Sequence, residues 1–370
     1  MKNKIKLKRR KIEKGNIAIV TAILLIPILG FCALAIDIGY AFVLRNEAQN
    51  AADATALAAA ACLANRVECD NQNSRFPDWS TAESNGFSFL KKNSVDKIPL
   101  TTANVQAGYW NFSNSKLGFQ PTSITPTLND APAIEVRIEK SQLLNNGGSP
   151  AIFSQFLGIP EIPISAISIA AITGASSVPA NSLFPIAIAK CLYDTYWNST
   201  TASPKLATQT NPSGFDLPQI IGEPYKFKIT SSYKVGSCEA GQWTTFLVDS
   251  NSASYIRNLI KNGNPSSATI GDKTWIQTGS QTTLYGDIQT CSSTGNNKCQ
   301  YVFIPVVQSI NSHAFNTIIA FSCVQILNAV GGSSKYAVVQ MSADSTKCQI
   351  GSSSGGGPNY GARIPPRLVY

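Results

Sequence analysis

A single histidine, His313, occurs in 370 residues, and charged side chains make up only 14% of the chain. That scarcity excludes much chemistry. A serine or cysteine nucleophile needs a base beside it, and the one imidazole lies in the polar string "NSHAFN", where a solvated loop residue is the simplest reading. There is no C-x-x-C pair, no G-x-S-x-G elbow, no Walker loop and no H-E-x-x-H helix. Carboxylate pairs of the glycosidase kind are conceivable among Asp216, Asp249, Asp272 and Asp287, but each lies in a turn-like context that favours Asp locally. Asp272, in "IGDK", reads as a hairpin-turn residue. The expectation is a protein that is not an enzyme, with no catalytic residue, cofactor, metal or small-molecule substrate. A membrane-anchored enzyme or ligand-binding module is the competing reading.

Basic charge is equally scarce outside one short region. The formal charge is +9, and residues 1–15 carry eight of the cations against Glu13, a local +7 that leaves +2 for everything else. Nucleic-acid binding would need cations spread over a folded face with interleaved aromatics, which is absent. Residues 1–15 are instead a basic arm. It precedes "IAIVTAILLIPILGFCALAI", Ile17 to Ile36, which has no charge and matches the ~20 residues a helix needs to cross a bilayer. The cations before this span and the mixed charges after it predict a cytoplasmic N-terminus, with the bulk of the chain outside. Pro27 is tolerated in a span because neighbouring groups satisfy the freed carbonyl. The "ALA" at 33–35 would suit a cleaved signal peptide, but the apolar run exceeds the usual ~7–15 residues, so an uncleaved anchor is expected.

Cys32 lies in the span, which leaves Cys62, Cys69, Cys191, Cys238, Cys291, Cys299, Cys323 and Cys348 outside. An even number in an oxidising compartment favours disulfides. Sequence spacing suggests 62–69, 191–238, 291–299 and 323–348, with other connectivities open.

From Ile17 to Ala64 only Pro27 would break a helix, so a rod of roughly 72 Å is possible at 1.5 Å per residue. Asn46, Glu47, Gln49, Asn50 and Asp53 give way to Ala54–Ala64, small or apolar on every face apart from Thr55. A helix apolar all round is buried, and alanine lets another backbone approach closely. This segment should be clasped by a sheet or by partner helices.

The stretch from Gly15 to Ala60 resembles the N-terminal motif of the TadG-like proteins of Tad (tight adherence, or Flp) pilus-assembly systems. The resemblance rests on Gly15, Asn16, Pro27, Asp37, Gly39, Arg45, Gln49, Asn50, Ala51, Ala52, Asp53, Ala54, Ala56, Leu57 and Ala58. Val20 stands where peptidase-cleaved prepilins carry Glu, and "DSNSAS" from Asp249 has Asn251 where a von Willebrand type A metal motif requires Ser. Neither prepilin cleavage nor that metal site is expected. The resemblance implies an inner-membrane protein that packs against other pilus-assembly subunits through its N-terminal helix, in pilus biogenesis, stabilisation or adherence. Candidate packing positions are Asp37, Gly39, Ala48, Ala52, Asp53, Ala56 and Ala59.

Beyond the helix, Ser80 and Glu83 have capping-box spacing, "AGYWNF", "AIEVRIE" and "IPISAISIAAIT" read as strands, and "AIFSQFLG" as a short helix. A long helix laid on a small sheet is a pilin-like order of elements. Seven later runs, from "LFPIAIAKC" to "KYAVVQMS", read as strands, interrupted by a helix capped by Ser252 and stopped by Gly263. The string "NGNPSSATIGDKTWIQTGS" followed by "VFIPVV" resembles a C-terminal module of secreted Tad-related proteins. The chain is therefore read as α+β: basic arm 1–15, transmembrane helix 16–40, pilin-like region 41–174, linker 175–182, disulfide-stabilised mainly-β domain 183–350, and a Gly/Ser-rich tail 351–370 that begins flexible and ends as an edge strand.

Overall fold

The computed structural model describes residues 16–64, 69, 77–127, 129–151, 153–213, 217–230, 241–277, 281–344, 346–351 and 354–370. The basic arm lies outside them, as does Cys238 of the suggested 191–238 pair and Asp216.

Helix α1 runs unbroken from Asn16 to Cys62, through Pro27. It is the one helix among the described residues long and apolar enough to cross a membrane. It ends where Cys62 is bridged to Cys69, with Cα atoms 5.6 Å apart. Helix α2, Trp79–Leu90, follows, and its N-cap is Asp78, whose carboxylate accepts from the Thr81 amide at 3.1 Å. The expected Ser80–Glu83 box does not form, because Glu83 is drawn across to the sheet and accepts from the Ala107 amide at 2.8 Å.

The first sheet contains β1 (Asn104–Asn111), β2 (Phe119–Pro121), β3 (Asp130–Lys140) and β4 (Ile164–Ala171). Its alternation is that of a half-buried strand: Ile134, Val136 and Ile138 turn to the helices, while Arg137 and Glu139 face water. "AIFSQFLG" forms the expected short helix as a 3-10 turn, Ser154–Leu157.

The seven later runs all supply strands to the second sheet: β5 (Ile186–Ala189), β6 (Lys226–Thr230), β7 (Gly241–Phe246), β8 (Lys273–Ile276), β9 (Tyr301–Val307), β10 (Ala314–Val330) and β11 (Tyr336–Met341). Their order is β6-β11-β10-β8-β7-β5-β9, and β9 also pairs with β10. The last five therefore close on themselves as a barrel, with β5 and β9 parallel and the other pairs antiparallel. Closure depends on the length of β10. Its start pairs with β8, its middle with β9 and its end with β11, and register shifts at Val306/Val307 and Ile326/Asn328 let the strands bend. Helix α4, Ala253–Asn262, is capped by Ser252 and ended by Gly263 at φ 75°, as expected. Helices α3 (Lys190–Tyr196) and α5 (Leu284–Cys291) were not legible as helices. Disulfides 291–299 and 323–348 are formed, and Cys191 is disulfide-bonded.

The connecting segments differ from expectation. The stretch read as a linker is paired: Gly174–Ala175 with Gly355–Gly357, and Ser177–Val178 with Ala268–Thr269. Ala175 and Val178 are buried. The tail is no free spacer either. Tyr360, Ala362 and Ile364 are buried, so apolar residues beyond the glycines hold the Gly-rich part down. The final residues do form an edge strand, β12 (Arg367–Leu368), but it joins β4 of the first sheet, giving the order β12-β4-β3-β1-β2. One apolar cluster runs from Ala41 and Ala56 through Ile134 to Ile304 and Val339, so both sheets share a core.

Candidate helix-docking interface

Along α1 the buried positions are Ala33, Asp37, Ala41, Leu44, Ala48, then Ala51/Ala52, Thr55/Ala56, Ala59/Ala60 and Cys62. Spacings of three and four put them on one face. That face lies on β3, β4 and α2. Alanine is required by the close fit. Gly86 of α2 packs so tightly that a Cβ there would lie 2.7 Å from Val105 Cγ1 and 3.2 Å from the Ala59 Cβ. The opposite face is open: Asn46, Glu47, Asn50 and Ala54 are exposed, and Leu57, Ala58 and Ala61 are half-buried. The expectation of burial on every face is thus corrected to one broad face, because a single sheet and one helix cannot encircle α1.

Asp37 is 1% exposed. One carboxylate oxygen accepts from the Phe153 amide at 2.9 Å, the Ser154 amide at 2.8 Å and the Ser154 hydroxyl at 2.9 Å. The carboxylate therefore satisfies the orphan donors at the start of the 3-10 turn and pins the 151–163 segment to the helix. Nearly three turns on, Glu47 accepts from the Asp96 amide at 2.7 Å, and the Asp96 carboxylate accepts from the Tyr40 hydroxyl at 2.6 Å. Gln49 donates to the Ile167 carbonyl at 2.9 Å and to Asp53 at 2.8 Å, so Asp53 steadies the glutamine that ties α1 to β4. Asn93 reaches Thr55 at 3.5 Å.

Of the predicted packing positions, Asp37, Ala48, Ala52, Ala56 and Ala59 come together on the buried face, Asp53 is half-buried at its margin, and Gly39 is exposed. A side chain at Gly39 would meet nothing within 4 Å. The buried positions are occupied by the chain's own sheet and α2. Ser154, Tyr40, Asp96 and Gly86 were not foreseen. Gly86, an isolated glycine within a helical pattern, carried a usable signal of close packing. Ser154 and Asp96 carried none, because their roles depend on contacts across 49 or more residues of chain.

Elsewhere the geometry is structural. Asp272 accepts from the Thr269 amide at 2.7 Å, closing the expected turn. Asp287 pairs with Arg257 at 2.8 Å. His313, at φ 56°, sits edge-on to Trp275 with ring centroids 5.3 Å apart. A cleft of about 720 Å³ beside α4 is lined by Asn181, Phe184, Lys261, Lys298 and Tyr301 among others, with no carboxylate or imidazole among the described residues of its wall. Among the described residues no three His, Cys, Asp or Glu side chains gather as a metal site.

A helix exposed and apolar along its first half and built into a folded unit along its second has the pattern of a protein anchored in a membrane through its N-terminal helix. Residues 15–61 match the Flp pilus-assembly TadE/G-like family, and residues 41–170 match the Tad-like Flp pilus-assembly family. Across residues 15–170 the chain is therefore similar to the TadG-like proteins of Tad pilus-assembly systems. No protein of curated function and no solved structure matches the chain.

Proposed function

We infer that the chain is a single-span, inner-membrane component of a Tad (Flp) pilus-assembly system with a structural or interaction role, its N-terminus cytoplasmic and both sheets outside. The observation that carries this reading is the change in exposure along one continuous helix. Exposed large apolar side chains run from Ile17 to Val43, whereas from Leu44 onward the helix face is sealed by the chain's own sheet. The outer half of α1 on an antiparallel sheet supports a pilin-like first unit. With Ala48, Ala52, Ala56 and Ala59 engaged internally, contacts to other pilus subunits fall to the span and to the exposed face of α1. Within the span, Gly30 and Gly39 are the positions where an added side chain meets nothing. A strain lacking the gene should lose pili and surface adherence. The wild-type gene should restore both, and Gly30→Leu with Gly39→Leu should yield a folded, inserted protein that does not. Full piliation by that double variant would refute the role given to the span.

A further inference from the structure

The apolar stretch of α1 is longer than a bilayer requires. Ile17 to Val43 covers about 40 Å at 1.5 Å per residue, against roughly 30 Å of hydrocarbon. Between those limits the one charge is Asp37, sealed beneath the 151–163 segment. Past Asp37 the helix still exposes Ile38 at 43%, Phe42 at 60% and Val43 at 51%. The protein that covers Asp37 exposes apolar side chains at the same level. Phe153, whose own amide binds Asp37, is 39% exposed, and Ile159, whose amide bonds to the Ser154 carbonyl, is 48% exposed. Leu143 is 93% exposed at the tip of the turn after β3. That turn belongs to the same end of the sheet, because Lys140 pairs with Ile164, directly after the segment on Asp37. It is held in place by Asn145, which accepts from the Thr101 and Thr102 amides at 3.0 and 3.1 Å. Just beyond come cations: Arg45, two residues past Val43 on α1, and Lys97 in the hairpin 94–99, whose Asp96 is bound by Tyr40 and Glu47; both are exposed.

Apolar side chains around the base of a span, with cations just beyond, form the profile of a surface seated in the headgroup layer. We propose that the first sheet's lower end is a membrane-seating collar. Leu143, Phe153 and Ile159 enter the outer leaflet beside Ile38, Phe42 and Val43, while Arg45 and Lys97 meet lipid phosphates. The occupant is the bilayer because the patch is continuous with the surface of the spanning helix. The collar also accounts for the burial of Asp37. At this depth a carboxylate facing lipid would be costly, and three donors from the collar segment replace the water it gives up.

The proposal rests on α1 being a membrane anchor, and one experiment separates the two. The full chain carrying Cys32→Ser is reconstituted in phosphatidylethanolamine–phosphatidylglycerol nanodiscs. A nitroxide is placed in turn at Leu143→Cys, Ile159→Cys, Leu25→Cys and Leu117→Cys, and collisions with oxygen are compared with those with a water-soluble nickel chelate. Leu117 is 53% exposed at Ser115–Leu117, beside the opposite end of the sheet, and serves as the aqueous reference. The collar predicts an oxygen-to-nickel ratio several-fold higher at 143 and 159 than at 117, approaching that at 25. Ratios at 143 and 159 equal to that at 117, with 25 oxygen-rich, would overturn the collar and leave the anchor intact. A nickel-accessible label at 25 would overturn both. Two collar sites are used so that a fold disturbed by one label is exposed by the other.

Discussion

Asp37 joins two levels of organisation through one side chain. Its carboxylate takes three hydrogen bonds from a segment more than a hundred residues away, so the cost of losing it falls on that segment rather than on α1. Asp37→Ala leaves buried donors without an acceptor. Local opening of the 151–163 segment should become easier by about 1–3 kcal/mol, roughly five- to 150-fold faster amide exchange at Phe153 and Ser154. Asp37→Asn, which keeps an acceptor oxygen, should fall between. Unchanged exchange in the alanine variant would remove the role given to this residue. Asp130 makes a second prediction at the same scale. Partial burial pushes its carboxyl up, but hydrogen bonds from Thr127, Asn111 and Gln120 outweigh that and hold it below the usual carboxylate value. A carboxyl depressed in the folded state contributes stability above its unfolded pKa of 3.8 and loses it as pH falls through the lower folded value. Protection of the β1–β2–β3 edge should therefore decline below about pH 4 in the wild type. In Asp130→Asn that acid-dependent component should be absent.

At the scale of elements, the contact of α1 with α2 depends on small residues at the crossing. Gly86→Ala tests this because two effects oppose each other. Alanine favours a helix over glycine by about 1 kcal/mol, but its methyl would meet the stiff, β-branched Val105 at 2.7 Å. Overpacking costs about 1–3 kcal/mol, so the net effect should be destabilising by up to about 2 kcal/mol in denaturant titration. Gly86→Ala combined with Val105→Ala should recover part of the loss. A stabilised single variant would show that Val105 of β1 and Ala59 of α1 give way to the added methyl at little cost. Ala52→Glu and Ala59→Glu meet the same crowding. Both side chains are fully buried within the chain, so these variants should misfold the first unit before they affect any partner.

At the scale of the whole molecule, the closing twenty residues tie the two sheets together. Gly355–Gly357 pairs with Gly174–Ala175, the Ile364 amide bonds to the Thr173 carbonyl at 3.1 Å, and β12 extends the first sheet. Arg363 is sealed in this segment near Tyr193 and Asp344, and burial lowers its guanidinium pKa to about 10. Tyr360 stacks on Tyr193 with centroids 3.8 Å apart. Deleting residues 351–370 exposes the surface that Tyr360, Ala362 and Ile364 cover, at about 1.5–3 kcal/mol for each large side chain. The truncated protein should unfold at least several degrees earlier in calorimetry and lose protection at Ile169, whose amide bonds to the Tyr370 carbonyl. A melting temperature equal to the full chain's would restore the reading of this segment as a loose tail.

Much of this was legible in the residues themselves. The long apolar helix, its continuation into an alanine stripe, the strand positions, the Ser252 and Gly263 caps, the Asp272 turn and three disulfides all follow from short-range pattern: periodicity, capping chemistry and cysteine spacing act over a few residues to a few tens. Tertiary structure decided the rest. It chose which face of α1 is covered, sent Glu83 to the sheet instead of to its own helix end, closed a barrel through one long strand and returned a glycine-rich tail to the first sheet. Those outcomes depend on surfaces that exist only once distant segments meet. An alanine stripe or a run of glycines specifies that something must approach closely, and only the assembled core specifies what.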